Sequence, residues 1–167
     1  MLTILFGEVM LRVAGAASRQ EGTGRNNEKI TLTTGIVSLV LFNALTGYFL
    51  YTDFRKVPDL NTAAVDLTQM VFGILGVMML IIGNIMPKAR RNSMIGLRTP
   101  WSMKNEEVWK KSQHFGGISF IVAGAVIVVI SFLTKGRVCL TVSLAVILLT
   151  ALIGSWYSYR TAKKSEC

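Results

Sequence analysis

Four apolar runs, each about 18 to 22 residues long and free of Lys, Arg, Asp and Glu, constrain this chain more than anything else in it. They extend from about Ile30 to Tyr51, Leu67 to Met86, Gly117 to Thr134 and Val138 to Tyr157, and are denoted spans A to D. At ~1.5 Å rise per residue, ~20 helical residues cross the ~30 Å hydrocarbon core of a bilayer. A soluble helix would confine its apolar residues to one face, whereas these runs are continuous. In lipid every backbone N–H and C=O must be paired within the protein, which leaves helices or a closed barrel, and the roughly ten-residue alternating segments of a barrel are absent. The expected fold class is an all-α integral membrane protein, an antiparallel bundle of four transmembrane helices. Residues 1–29 read as an interfacial and linker segment, 30–157 as the membrane domain and 158–167 as a basic tail.

The distribution of charge sets the expected orientation. The chain carries a net +9, yet charged residues make up only 16% of it, so the position of each cation matters. Arg12, Arg19, Arg25 and Lys29 precede span A; Lys88, Arg90, Arg91, Arg98, Lys104, Lys110 and Lys111 lie between B and C; Arg160, Lys163 and Lys164 follow D. The A–B loop has only Arg55 and Lys56 against Asp53, Asp59 and Asp66, and the C–D turn has Lys135 and Arg137. Positive-inside bias therefore places both termini and the B–C loop in the cytoplasm, with the protein multi-pass in the cell membrane. In a soluble protein a pI near 9.9 would suggest nucleic acid. Cations flanking spans instead face anionic headgroups, at roughly 1 kcal/mol per Lys or Arg, and no direct nucleic-acid contact is expected. Cys139 and Cys167 offer neither a metal spacing nor an expected disulfide, and no cofactor or metal is expected.

Along the chain, Met1 to Ala17 reads as an interfacial or loosely held helix in preference to a fifth span, since Glu8 and Arg12 interrupt it. Gly73, Gly76 and Gly83 fall near one face of span B, where small residues let another helix approach closely. Asn43 and Asn84 lie at membrane depth and read as hydrogen-bonding glue between helices. Asp66 reads as a helix-start carboxylate; with Asp53 and Asp59 it also gives an outer acidic patch that could attract a cationic peptide.

The loop from Asn92 to Gly117, NSMIGLRTPWSMKNEEVWKKSQHFGG, is polar, basic and aromatic between apolar runs, and holds two of the three tryptophans. Gly96 can adopt a backbone conformation closed to other residues, and Arg98 is a planar five-donor group suited to phosphate or carbonyl oxygens. Pro100 holds Thr99 towards an extended shape, and Trp101 can anchor the turn at the interface. Asn105 is a good N-cap, with Glu106 and Glu107 in the first turn, and Glu106–Lys110 and Glu107–Lys111 are i,i+4 pairs. A short interfacial helix from Glu106 to Phe115 is expected, with Trp109 in the headgroup belt and a bend at Gly116 and Gly117. By composition alone the loop reads as an ordinary positive-inside loop with aromatic anchors. Catalysis finds little support: His114 is the only histidine, and no nucleophile stands beside a base.

The order N-x-x-I-G-L-R-T-P-W-S, followed by E-E-V-W-K-K and a Gly-Gly pair, resembles the signature of the SdpI family of bacterial membrane proteins. The resemblance is strong over Asn92 to Gly117 and extends by hydropathy from about Asn26 to Leu133. Where family members usually have Thr, then His or Asn, then a basic residue, this chain has Ser112, Gln113 and His114. The family includes immunity proteins against a membrane-attacking peptide toxin. The resemblance implies that function, or a relay that senses the toxin, together with a cytoplasmic transcriptional repressor as a further partner. It also implies that Asn92, Gly96, Arg98, Thr99, Pro100, Trp101 and Trp109 form the working surface, although these residues could instead build a cap on the bundle. The family's longer N-terminal part is not matched, so the chain looks like a short member. A small transporter or an assembly subunit is the alternative, and would want polar groups facing each other at the bilayer middle.

Overall fold

The computed structural model describes residues 8, 9, 12, 24–57, 60, 65–91 and 96–165, and among these all regular structure is helical. Four long helices follow one another: α1 (Gly24–Phe54), α2 (Leu67–Ile85), α3 (Glu106–Leu133) and α4 (Gly136–Lys164). A 3-10 turn, Met86–Lys88, continues α2 where Pro87 denies it another backbone donor. All four helices are long and apolar enough to cross a membrane. The result is a four-span helical membrane bundle, as the uncharged runs predict. Of the expected N-terminal segment, residues 24–29 form the first turns of α1, and apart from residues 8, 9 and 12 the rest lies outside the described residues.

The helices outrun their spans, and the excess builds the ends. At ~1.5 Å per residue the 28 residues of α3 reach ~42 Å, well beyond ~30 Å of hydrocarbon. The helix expected from Glu106 to Phe115 is present, but as the opening turns of α3 and not as a separate interfacial piece. The helix runs without interruption through Gly116 and Gly117. Both are buried: Gly116 faces Met86 and Leu97, and Gly117 faces Gly83 and Pro87.

Close approach of α2 and α3 is the main packing event. A Cβ on Gly83 would lie 2.6 Å from the Gly117 carbonyl oxygen, and one on Gly117 would lie 2.6 Å from that of Gly83. Two turns away, a Cβ on Gly76 would stand 2.9 Å from the Gly124 oxygen and 2.8 Å from Val128 Cγ2. The glycine face expected on span B is thus an antiparallel seam whose other half is Gly117 and Gly124. Lipid is as apolar as a leucine side chain, so contact of this kind is what holds such helices together. Phe72, Met79, Ala123, Ile127 and Cys139 close the core between α2, α3 and α4.

Helix α1 is different. Its most apolar window has no buried share, and its principal contact is with α2. Near its end the Tyr48 hydroxyl donates to the Val65 carbonyl at 2.7 Å. The expectation that Asn43 and Asn84 bridge helices is not met: Asn84 faces outward, and Asn43 Nδ2 donates to Leu39 O of its own helix at 2.9 Å. A primary amide four residues beyond a carbonyl can satisfy one donor locally, which removes the need for a partner helix.

The loop end opposite the motif is locked by Asp66. Its carboxylate caps α2, accepting the Gln69 amide at 2.7 Å and the Thr68 hydroxyl, and also accepts the Gly136 amide at 2.6 Å. The Gln69 side chain accepts from the Asp66 amide at 3.1 Å and donates to Ser131 O at 2.9 Å. Three helices meet there. Asp66 is only 1% exposed, so it does not belong to an outer acidic patch; Asp53 is exposed and Asp59 lies outside the described residues. Burial works against its ionised form, but the Thr68 hydroxyl, the Gln69 and Gly136 amides and nearby Lys135 outweigh it and hold the carboxyl below its ordinary value. A depressed folded pKa stabilises the fold above the unfolded carboxylate range and is lost as pH falls through the folded value. Thermal stability in detergent should therefore hold from pH 7 to about 5 and fall below about pH 4. Asp66→Asn should melt lower at neutral pH and show a shallower acid decline; an unchanged acid profile would mean that other carboxylates govern it.

Candidate functional site

The loop between the 3-10 turn and α3 folds onto α3 and α4 and caps that end of the bundle. Gly96 sits at φ +110, where a side chain is strained, and a Cβ there would overlap the Gln113 carboxamide. Gln113 is itself fully buried and grips the next residue with both ends: its Oε1 accepts the Leu97 amide and its Nε2 donates to the Leu97 carbonyl, each at 3.0 Å. The Leu97 side chain then fills the space beside Gly116 of α3 and Gly154 of α4.

Thr99 to Lys104 form a compact turn held by paired hydroxyls. The Thr99 amide donates to Ser102 Oγ at 3.0 Å and the Ser102 amide donates to Thr99 Oγ1 at 3.1 Å. Ser102 Oγ also lies 2.8 Å from the Leu97 carbonyl, and the Met103 amide donates to Thr99 O at 3.2 Å. Thr99 Oγ1 meets Ser158 Oγ of α4 at 2.7 Å, and Ser112 of α3 donates to the same Ser158 oxygen at 3.3 Å. The turn is thereby tied to both helices beneath it. Ser102, Ser112 and Ser158 are fully buried, so water does not compete for these bonds.

What the turn displays is a short polar and aromatic edge. Arg98 and Pro100 are exposed, and Arg98 makes no hydrogen bond or ion pair to another described residue. Trp101 is 38% exposed and rests edge-to-face on Tyr159, with centroids 5.3 Å apart at 76°. Arg91 Nη1 reaches Met103 O at the limit of hydrogen-bond distance, 3.5 Å.

Trp109 departs most from expectation. Far from lying in the headgroup belt, it is 1% exposed, with Nε1 donating to the Ala89 carbonyl at 3.0 Å. An indole buries well when its N–H finds an acceptor, and the strand of chain leaving the 3-10 turn supplies one. Val108 beside it is equally buried. Asn105 caps α3 as expected, accepting the Val108 amide at 2.8 Å. Of the two expected ion pairs, Glu107–Lys111 forms at 2.6 Å and Glu106–Lys110 does not. Below, Phe115 stacks on Tyr157 with centroids 3.9 Å apart.

The expected site residues therefore divide. Gly96, Thr99 and Trp109 build the cap from within, Arg98, Pro100 and Trp101 form its exposed edge, and Asn92 lies outside the described residues. Ser102 and Ser158 escaped the sequence reading because a serine in a turn or an apolar helix carries no signal of its own. Gln113 had one: it is an uncharged polar residue one turn before the Gly-Gly pair, where a working amide would be buried.

Fold and site together define a four-span helical membrane protein with a built, outward-facing turn at one end. Residues 88–158 match the SdpI/YfhL protein family, and 97 residues are 38% identical to "Immunity protein SdpI" of Bacillus subtilis (strain 168). Over this region the chain is similar to members of the SdpI/YfhL family. The alignment covers 58% of this chain and 46% of the relative, so the chain spans about half of that protein's length. No solved structure matches.

Proposed function

We propose that this protein confers immunity to a membrane-active peptide toxin, or signals its presence, through the exposed Arg98–Pro100–Trp101 edge. The observation that carries this reading is how the edge is held. Two helices contribute buried polar side chains, Gln113 and Ser158, whose bonds go to the turn, while Arg98 projects with no bond to a described residue. A loop that only connected α2 to α3 would not need a rigid foundation under an exposed guanidinium. Similarity to a protein named for immunity supports the same reading over the matched half.

In this reading the motif end faces the cytoplasm. The cations concentrated there, Lys88, Arg90, Arg91, Lys104, Lys110, Arg160 and Lys163 among them, would be held inside by the positive-inside bias. A cytoplasmic transcriptional repressor could then dock on the Arg98 edge when toxin is present. The transporter alternative gains nothing from Asn43 and Asn84, which point away from the bundle's core.

Arg98→Ala and Trp101→Ala distinguish a working surface from a structural cap. Both side chains are exposed, and membrane abundance should stay within about twofold of the parent, since surface changes of this kind usually cost within ~0.5 kcal/mol. Protection against the toxin should fall several-fold. Abundance tracking protection across such variants would reduce the edge to a cap.

A further inference from the structure

Beside the motif turn, a groove of about 1010 Å³ opens between the first turns of α3 and the last turns of α4. Lys111, Trp156, Tyr157, Arg160, Lys163 and Lys164 line it. Glu107 neutralises Lys111 at 2.6 Å, which leaves Arg160, Lys163 and Lys164 as cations on one wall. The Arg160 guanidinium is already placed, lying over the Trp156 ring at 5.1 Å. Tyr157 is fixed by its stack on Phe115.

We infer that this groove binds the phosphate headgroup of an anionic phospholipid. The argument turns on what continues from it. Leu149, Leu152, Ile153, Trp156, Arg160, Lys163 and Lys164 recur at helical spacing and share a sector of about 120° on α4. Along that sector the exposed leucine and isoleucine side chains, 49% to 67% accessible, run directly into the aromatic and then the basic residues. A soluble anion would use only the basic end, and an acidic protein segment would have no use for the apolar ridge. A phospholipid matches the whole sequence of surfaces, with acyl chains on the ridge, glycerol at Trp156 and phosphate among the three cations. Basic pockets between transmembrane helices are suited to such headgroups. The site goes beyond immunity and depends neither on that reading nor on which leaflet the motif end faces.

The test uses the full chain in detergent, with native mass spectrometry counting bound dioleoyl phosphatidylglycerol against dioleoyl phosphatidylcholine at equal concentration. Phosphatidylglycerol should be preferred by about tenfold or more, because each Lys or Arg near the phosphate is worth roughly a fivefold factor. Arg160→Gln, Lys163→Gln and Lys164→Gln combined should abolish that preference. Lys88→Gln, Lys104→Gln and Lys110→Gln combined remove the same charge from the same end outside the groove, and should preserve it. Equal loss in both triple variants, or loss in neither, would overturn the site. Displacement of the lipid by glycerol 3-phosphate at the same concentration would make it a soluble-anion site, and displacement by an oligoglutamate peptide would make it a protein-docking site. Either result overturns the lipid assignment.

Discussion

Gly83→Ala and Gly117→Ala should each lower the melting temperature of the detergent-solubilised protein by roughly 3–10 °C, with a matching loss of well-inserted protein in cells. Each new methyl would stand 2.6 Å from the carbonyl oxygen of the facing glycine, a separation that side-chain carbons essentially never show. Neither neighbour is a flexible side-chain end, so the helices themselves must separate. Overpacking of this kind costs ~1–3 kcal/mol, and parting the backbones at one point loosens contacts along the whole seam to Gly76 and Gly124. The comparison is with Gly35→Ala and Gly47→Ala on α1, where an added Cβ meets nothing within 4 Å. Those should be neutral or slightly stabilising, because alanine is favoured over glycine within a helix by ~1 kcal/mol. Equal damage at all four positions would mean that α1 is as tightly packed as α2 and α3.

Gln113→Leu should free the motif turn while leaving the bundle assembled. The substitution keeps a similar side-chain volume but removes both bonds to Leu97, stranding a backbone amide that has no other acceptor among the described residues. A buried donor left without an acceptor costs ~1–3 kcal/mol and this partly buried one up to about that, and the cost falls on one conformation of the loop instead of on the helices. The measurable consequence is access: trypsin should cut after Arg98 about tenfold faster in the variant than in the parent, and protection against toxin should fall with it. Gln113→Glu keeps the acceptor, loses the donor and adds a buried charge, and should be at least as damaging. Unchanged cleavage at Arg98 would show that the hydroxyl cluster of Thr99, Ser102 and Ser158 is enough to hold the turn.

The contrast between these two sites shows what could be read from the chain. Spans A to D were legible because absence of charge over about 20 residues has one physical meaning, and the glycine face of span B was legible from its helical spacing. Its partner face was not. Gly117 stands next to Gly116, and a glycine pair at the edge of a span reads as a bend until the facing glycine is seen. Trp109 was misread for a related reason: a tryptophan among lysines near a membrane normally belongs to the interface, and the acceptor that lets it bury, Ala89 O, is twenty residues away in sequence. Arg98, Pro100 and Trp101 were named as a surface only within the larger set that the family resemblance implies, and it is the fold that groups them at an exposed edge. The residues that hold that edge, Ser102, Gln113 and Ser158, act through contacts that only the fold creates, and Ser158 comes from a helix whose sequence speaks only of lipid.

Membrane potential reports most directly on the proposed protection against a membrane-active peptide. Cells of a toxin-sensitive host, with or without the protein, would be challenged with a membrane-active peptide toxin while a voltage-sensitive dye is followed. Cells carrying well-inserted protein should keep their potential several-fold longer than empty cells, and cells carrying Arg98→Ala or Trp101→Ala at the same abundance should fall between the two. Depolarisation as fast as in empty cells, with the protein shown to be in the membrane, would contradict the account.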